Sequence, residues 1–150
     1  MTLSDLIAMA RVYARDNNAF MFKDSIITMF INQAIDRIKQ YKVFADMPYL
    51  ESSNDEVVYL PRPYHYLLAL FAAARCYDTD ERFYEGTEKR NEFEFYLDNL
   101  IADIESGNVV ILDGSGVIVE NTTTYIDYVT DEYFAASADV DIDEGIVGLG

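Results

Sequence analysis

The chain has 150 residues, enough for one domain with a real core. Its 27 acidic residues outweigh 11 basic ones, for a net charge of −16, and the imbalance is uneven along the chain. All 11 bases lie at or before Arg90, against 13 acids there, whereas the remaining 60 residues carry 14 acids and no base. Such a C-terminal half excludes duplex binding through phosphate contacts, which need lysine or arginine to release counterions. No apolar run approaches the ~20 residues of a membrane span, and Met1-Thr2-Leu3-Ser4-Asp5 lacks the basic start of a signal peptide. The expectation is a soluble protein made in the cytoplasm.

The first helix is expected from Thr2 to about Asp16. Thr2 and Asp5 have capping-box spacing, and Leu3, Leu6, Ile7, Ala10, Tyr13 and Ala14 form its apolar face. Asn17-Asn18 ends it, and Phe20, Met21 and Phe22 form a packed link. Asp24 or Ser25 is expected to cap a second helix running to about Tyr41, with Ile27, Phe30, Ile31, Ala34, Ile35 and Ile38 inward. Residues 43–61 read as a loop. Ser52-Ser53-Asn54-Asp55 has turn chemistry, and Glu56 to Leu60 reads as a short strand before Pro61.

Leu60 to Gly107 reads as two helices joined by an acidic turn, and the rest of the chain is organised around them. Pro63 suits a first helical position. Tyr64, Leu67, Leu68, Phe71, Ala72 and Cys76 then recur at helical spacing, and Ala72-Ala73-Ala74 admits a close neighbour. Thr79 or Asp80 is expected to cap the next helix, and Arg75 and Arg82 to pair with Asp78, Asp80 or Glu81. Phe83, Phe93, Tyr96, Leu97, Leu100, Ile101 and Ile104 give that helix its apolar positions, and Gly107 supplies a left-handed cap. Gly86 marks either a close contact with a neighbouring subunit or a kink.

Val109 to Leu112 and Val117 to Val119 flank Asp113-Gly114-Ser115-Gly116, a β-hairpin signal. An isolated hairpin is marginal in water, so pairing with residues 56–60 or with another subunit is expected. Thr122 to Thr130 has high strand propensity, with Tyr125, Asp127 and Val129 on one face and Ile126, Tyr128 and Thr130 on the other. The remainder is small and acidic, ending in Ile146-Val147-Gly148-Leu149-Gly150. The expected mode for this arm is strand addition to a partner's sheet edge. The fold class is therefore mainly α: a helical domain of four helices over 1–108, a short β-hairpin over 109–120, and an extended acidic C-terminal arm over 121–150.

Catalytic and cofactor signatures are weak, and neither a catalytic residue, a metal nor a cofactor is expected. His65 is the sole histidine, which excludes a multi-histidine metal site or a triad within one chain. On one straight helix it would lie ~16 Å from Cys76, too far for a catalytic pair. Cys76, the sole cysteine, reads as a small buried hydrophobe. From Asp139 an EF-hand loop would need glycine at its sixth position and glutamate at its twelfth, where Glu144 and Gly150 stand. Asp-Gly-Ser-Gly at 113–116 lacks the Gly-Lys-Ser/Thr ending of a phosphate loop. The 12 tyrosines are more than one small core needs, and tyrosine suits interfaces because it buries area while keeping a polar tip.

Leu60-Pro61, the Tyr-rich helix from Tyr64 to Cys76, Asp80-Glu81-Arg82, Asn91-Glu92-Phe93 and the earlier Ile31 to Ile38 stretch resemble, in this order, the head–tail adaptor (connector) proteins of tailed bacteriophages. The resemblance covers residues 1 to about 110 and rests on apolar and small-residue patterns. It implies a structural virion protein of the phage neck. Such a protein forms a ring with neighbouring copies of itself, commonly dodecameric, beneath the portal protein. The ring extends the DNA channel and meets the next neck or tail-completion protein. Family members commonly send a C-terminal arm into the portal. Here Tyr125, Ile126, Tyr128, Val129, Tyr133 and Phe134 would be its portal-binding anchors, with Ile146, Val147 and Leu149 as a second grip. DNA would pass through the channel without specific binding, and no membrane is involved. The alternative reading is a small acidic inhibitor or DNA mimic that binds a basic protein; a carboxylate-based metal-dependent hydrolase has the least support.

Overall fold

The structure, a computed structural model, describes residues 1–16 and 21–120. Its described part is mainly helical, with four α-helices and no strand. Helix α1 spans Leu3–Ala14, α2 Asp24–Ile38, α3 Tyr66–Thr79 and α4 Phe83–Glu105. Single 3-10 turns at Lys42–Phe44 and Arg62–Tyr64 sit in the connection between α2 and α3.

Helix α3 is the axis of the packing, in contact with α1, α2 and α4. Leu67, Leu68, Leu70, Cys76 and Tyr77 are buried on it together with four alanines, Ala69, Ala72, Ala73 and Ala74. A helix that is apolar nearly all round belongs inside other elements. The alanines set the distance of approach, and the bulk comes from its neighbours: Leu6 from α1, Ile27, Ile31 and Ile35 from α2, Phe93, Leu97 and Leu100 from α4. Phe71 meets Phe93 edge to face with ring centroids 5.1 Å apart.

Gly86 is where α4 comes closest to α3. A Cβ there would lie 3.2 Å from the Ala74 carbonyl oxygen and would collide with the Asp78 carboxylate. The expectation here was a contact with a neighbouring subunit or a kink; the close contact the glycine makes is with α3 of the same chain, and α4 runs on through it. Asp78 cannot swing aside freely, because it pairs with Arg90 one turn further along α4.

The capping box of α1 forms as its spacing predicts: Asp5 N–H donates to the Thr2 hydroxyl and Thr2 N–H to the Asp5 carboxylate. Gly107 takes φ 81°, the left-handed conformation expected after α4. Three other helix ends differ from expectation. Asp24 is the first residue of α2 and caps nothing, since its carboxylate is bound by Arg11. Helix α3 begins at Tyr66, because residues from Pro63 to Tyr64 close a 3-10 turn first. Neither Thr79 nor Asp80 caps α4: α3 runs through Thr79, and the N-cap of α4 is Arg82, with no side-chain cap. Glu81, at φ 59°, makes that reversal. Arg82 instead binds Glu85 at 2.6 Å, and Arg75 reaches Gln33 and lies over the Phe30 ring.

A buried polar knot ties α1 to α2. Arg11 donates to Asp16 at 2.8 Å and to Asp24 at 2.5 Å, and the Asp16 carboxylate also accepts from the Met21 and Phe22 N–H groups. Arg11 and Asp16 are both buried. The loop of residues 43–61 is held by Asn32, whose amide donates to and accepts from the Leu50 backbone at 2.8 and 2.9 Å. Below it Val43, Phe44 and Met47 enter the core. Asp55 Oδ2 accepts from the Ser52 and Glu51 N–H groups, which closes the expected turn and lowers the carboxyl pKa below its ordinary value.

Two substitutions test this packing. Gly86→Ala gains about 1 kcal/mol of helix propensity but overpacks the α3–α4 contact, and a net loss of about 1–2 kcal/mol is expected in urea unfolding. Arg11→Ala leaves Asp16 buried without its cation and is expected to lower stability by about 3–5 kcal/mol in the same assay.

Candidate functional site

The anchors assigned to the arm, Tyr125, Ile126, Tyr128, Val129, Tyr133, Phe134, Ile146, Val147 and Leu149, lie outside the described residues. What the described residues do show is a surface groove. It is built from two stretches, Val57 to Pro61 and Val110 to Asp113.

The first stretch was expected as a strand, with the residues after α4 pairing with it or with another subunit. It pairs with the chain start instead. Thr2 and Glu56 form an isolated antiparallel bridge, Val57 N–H donates to the Met1 carbonyl, and Leu3 N–H to that of Asp55. Beyond Val57 the backbone folds sharply. Leu60 N–H donates to the Val58 carbonyl at 2.8 Å across Tyr59, which has φ 69°. This is a γ-turn of the strained kind, with a bulky residue in the left-handed region. Such a residue costs about 1–3 kcal/mol and persists only where its surroundings enforce it.

His65 is one of those surroundings. It is 5% exposed. Its Nε2 lies 2.8 Å from the Leu60 carbonyl, and its Nδ1 is 3.2 Å from the N-terminal ammonium. The arrangement fits the neutral ring, with Nε2–H donating to Leu60 and Nδ1 accepting. Burial pushes its pKa down; the Leu60 carbonyl opposes this, and the N-terminal charge and Arg62 add to it. The single histidine is thus packed. Cys76 is buried too, and burial raises its thiol to about 12. Tyr64 donates to Asp103 at 2.7 Å, which ties the turn before α3 to the end of α4 and, with burial, raises the phenol to about 12.

The second stretch was expected as one arm of a hairpin. Its described backbone has one isolated bridge, Leu112 to Ile118, with Val119 N–H donating to the Ile111 carbonyl and Asp113 N–H to that of Val117. Asp113 Oδ1 accepts from the Ser115 and Val117 N–H groups and so fixes the turn, and Gly116 supplies φ 81°. Side chains alternate across such a pair. Ile111 is buried and Val119 partly buried against the core. The opposite face presents Val110, Leu112 and Ile118, which are 53%, 47% and 68% exposed.

Between the two stretches lies a groove of about 240 Å³, lined by Val57, Val58, Tyr59, Leu60 and Pro61 on one side and Val110, Leu112 and Asp113 on the other. It is mostly apolar, with Asp113 and Tyr59 as its polar side chains, and it is smaller than the ~300–1,000 Å³ typical of ligand pockets. It fits one or two side chains better than a small molecule. Among the described residues no cluster of three or more histidines, cysteines or acids could hold a metal, and no helix is long and apolar enough to cross a membrane. The apolar content of 110–119 was legible in the sequence; the groove was not, because its far wall depends on a γ-turn at Tyr59 that no local residue pattern announces.

Other exposed apolar side chains are scattered: Val12, Met21, Ile26 and Met29 around α1 and α2, Phe83, Tyr84 and Phe95 along α4. No family model, curated protein or solved structure matches the chain.

The His65 contact carries a pH signature. Its folded-state pKa lies below the unfolded value of about 6.5, so the unfolded chain takes the proton first as pH falls. The contribution is therefore complete above that value and declines below it. Between about pH 7 and 5.5, before most carboxylates titrate, the thermal midpoint of the native protein is expected to fall relative to that of His65→Asn measured over the same range.

Proposed function

We propose that the chain is a structural head–tail adaptor of a tailed bacteriophage. It would form a ring with copies of itself beneath the portal, extend the DNA channel, and link capsid to tail. The reading is carried by the resemblance of residues 1 to about 110. The apolar face of Val110, Leu112 and Ile118 supports it, since a surface of that kind at the edge of a small helical body suits an interaction. Ring closure requires a heterologous interface, in which two different faces of each subunit meet. The finer parts of the proposal are a hairpin over 109–120 and an arm over 121–150 that binds the portal by strand addition. The 14 acids after Arg90, with no base among them, suit a channel past which DNA slides by like-charge repulsion. The same charge distribution favours the second reading, an acidic inhibitor or DNA mimic on a basic protein.

Co-sedimentation and electron microscopy with the portal encoded in the same genome separate these readings. The full chain is expected to form a ring on the portal, and a version ending at Glu120 to lose it. A ring that survives truncation keeps the adaptor and removes the arm from the portal contact. No binding by the folded full chain overturns the adaptor and leaves the acidic inhibitor.

A further inference from the structure

We infer that the groove between Val57–Pro61 and Val110–Asp113 is a docking site for the chain's own segment Thr122–Thr130, held in cis, with Ile126 and Tyr128 turned into it. The inference goes beyond the adaptor reading and does not rest on it.

Position favours this occupant. Residues 117–119 pair back on 111–113, so Glu120 ends beside Val110, on the rim of the groove. Thr122 follows after one residue. A segment tethered this closely has an effective concentration on the order of mM, whereas a second copy competes at its bulk concentration, commonly on the order of μM. The tether therefore favours the chain's own segment by about three orders of magnitude, unless its path is sterically blocked.

Chemistry selects the segment and its face. The groove is apolar and of side-chain size, but it is not neutral: Asp113 lines it, and Asp46 and Asp113, after burial, help to raise the Tyr59 phenol. A carboxylate entering there would meet like charge. In the 30 residues after Glu120 there are three apolar stretches, and Tyr133 to Ala136 follows directly on Asp131 and Glu132. The one at Ile146 to Leu149 follows directly on Asp139, Asp141, Asp143 and Glu144. Thr122–Thr130 contains one acid, Asp127. As an extended strand it would place Asp127 with Tyr125 and Val129 on one face and leave Ile126, Tyr128 and Thr130, all uncharged, on the other. Only the second face suits the groove. Docking would also cover part of the exposed Val110–Leu112 edge.

If the adaptor reading holds, portal and groove compete for the same residues, and portal binding uncovers the apolar edge. That order of events would keep free subunits apart until a portal is present.

Hydrogen exchange of the protein alone, with no portal, tests the inference. Four chains are compared: full length, ending at Glu120, Ile126→Ser/Tyr128→Ser, and Tyr125→Ser/Val129→Ser. Amides of residues 57–60 and 110–113 are expected to exchange about tenfold faster in the truncated chain and in the Ile126/Tyr128 variant. The Tyr125/Val129 variant should match full length, and α1–α4 should be unchanged in all. Should truncation unfold the helices, the two double variants decide alone. Equal exchange in full length and the Ile126/Tyr128 variant overturns the docking. Equal acceleration by both double variants overturns the assigned face. Protection that is lost on dilution from about 100 to 1 μM overturns the cis assignment and gives the site to a second copy.

Discussion

The structure depends on α3 having almost no surface of its own. Three helices share one axis because that axis is apolar on nearly every side and narrow along its Ala69–Ala74 stretch. The narrowness has a consequence across the interface. Where α4 crosses the end of the alanine stretch, only glycine fits, and Gly86 lies between the Ala74 carbonyl and the Asp78 carboxylate. Glycine in a helix interior weakens it, so local propensity has yielded to the close approach of two backbones. The Asp78–Arg90 pair then bridges the same two helices on the flank of that contact. Position, size and charge at this point are one constraint seen three ways.

How legible all this was depends on range. Features set within a few residues came through: the Thr2–Asp5 capping box, the Asp55 turn, Gly107, and the apolar faces of α1, α2 and α4 from Phe93 onward, whereas Phe83, assigned to the α4 face, is exposed. Features set by distant partners did not. Asp24 looked like a helix cap because aspartate at a helix start normally is one; Arg11, thirteen residues away, binds it instead. Arg75 and Arg82 looked like partners for the acidic turn by proximity in sequence. The fold gives Asp78 to Arg90 and leaves Arg82 to Glu85. With 13 acids among the first 90 residues, nearness in sequence says little about which pair forms.

The strand expected at Glu56 to Leu60 failed for a more instructive reason. Its composition is right, and Glu56 and Val57 do pair, with Thr2 and Met1. The reversal at Tyr59 then ends any ladder. A γ-turn at a tyrosine has no sequence signature, because the residue that suffers the strain is not the one that imposes it. Leu60 is buried, its carbonyl is taken by His65, and Pro61 fixes the next step of the backbone. Tyr59 is left with whatever conformation joins these fixed points to Val58. The histidine that offered no catalytic partner in the sequence thus acts on the backbone, holding one wall of the groove.

The groove links this local strain to the charge pattern of the whole chain. Bases stop at Arg90, so every segment beyond it must find contacts that tolerate net negative charge. Glu92 and Glu94 pair with Lys89 and Arg37, and Asp103 accepts from Tyr64; the described surface also offers apolar contact, where residues 110–119 meet 57–61. An acidic rim narrows the choice further. Asp113 both fixes the turn, by accepting two backbone N–H groups, and lines the groove with negative charge. A segment that enters must therefore present an uncharged apolar face while carrying its acids elsewhere. Strand alternation does this with a single aspartate at an odd position, as Thr122 to Thr130 has it. An amphipathic helix of the same composition would not separate Asp127 from its neighbours so cleanly, since residues three and four apart share a face there. The lack of lysine and arginine after Arg90, which disfavours phosphate contacts, thus also limits the surfaces that such a segment would suit.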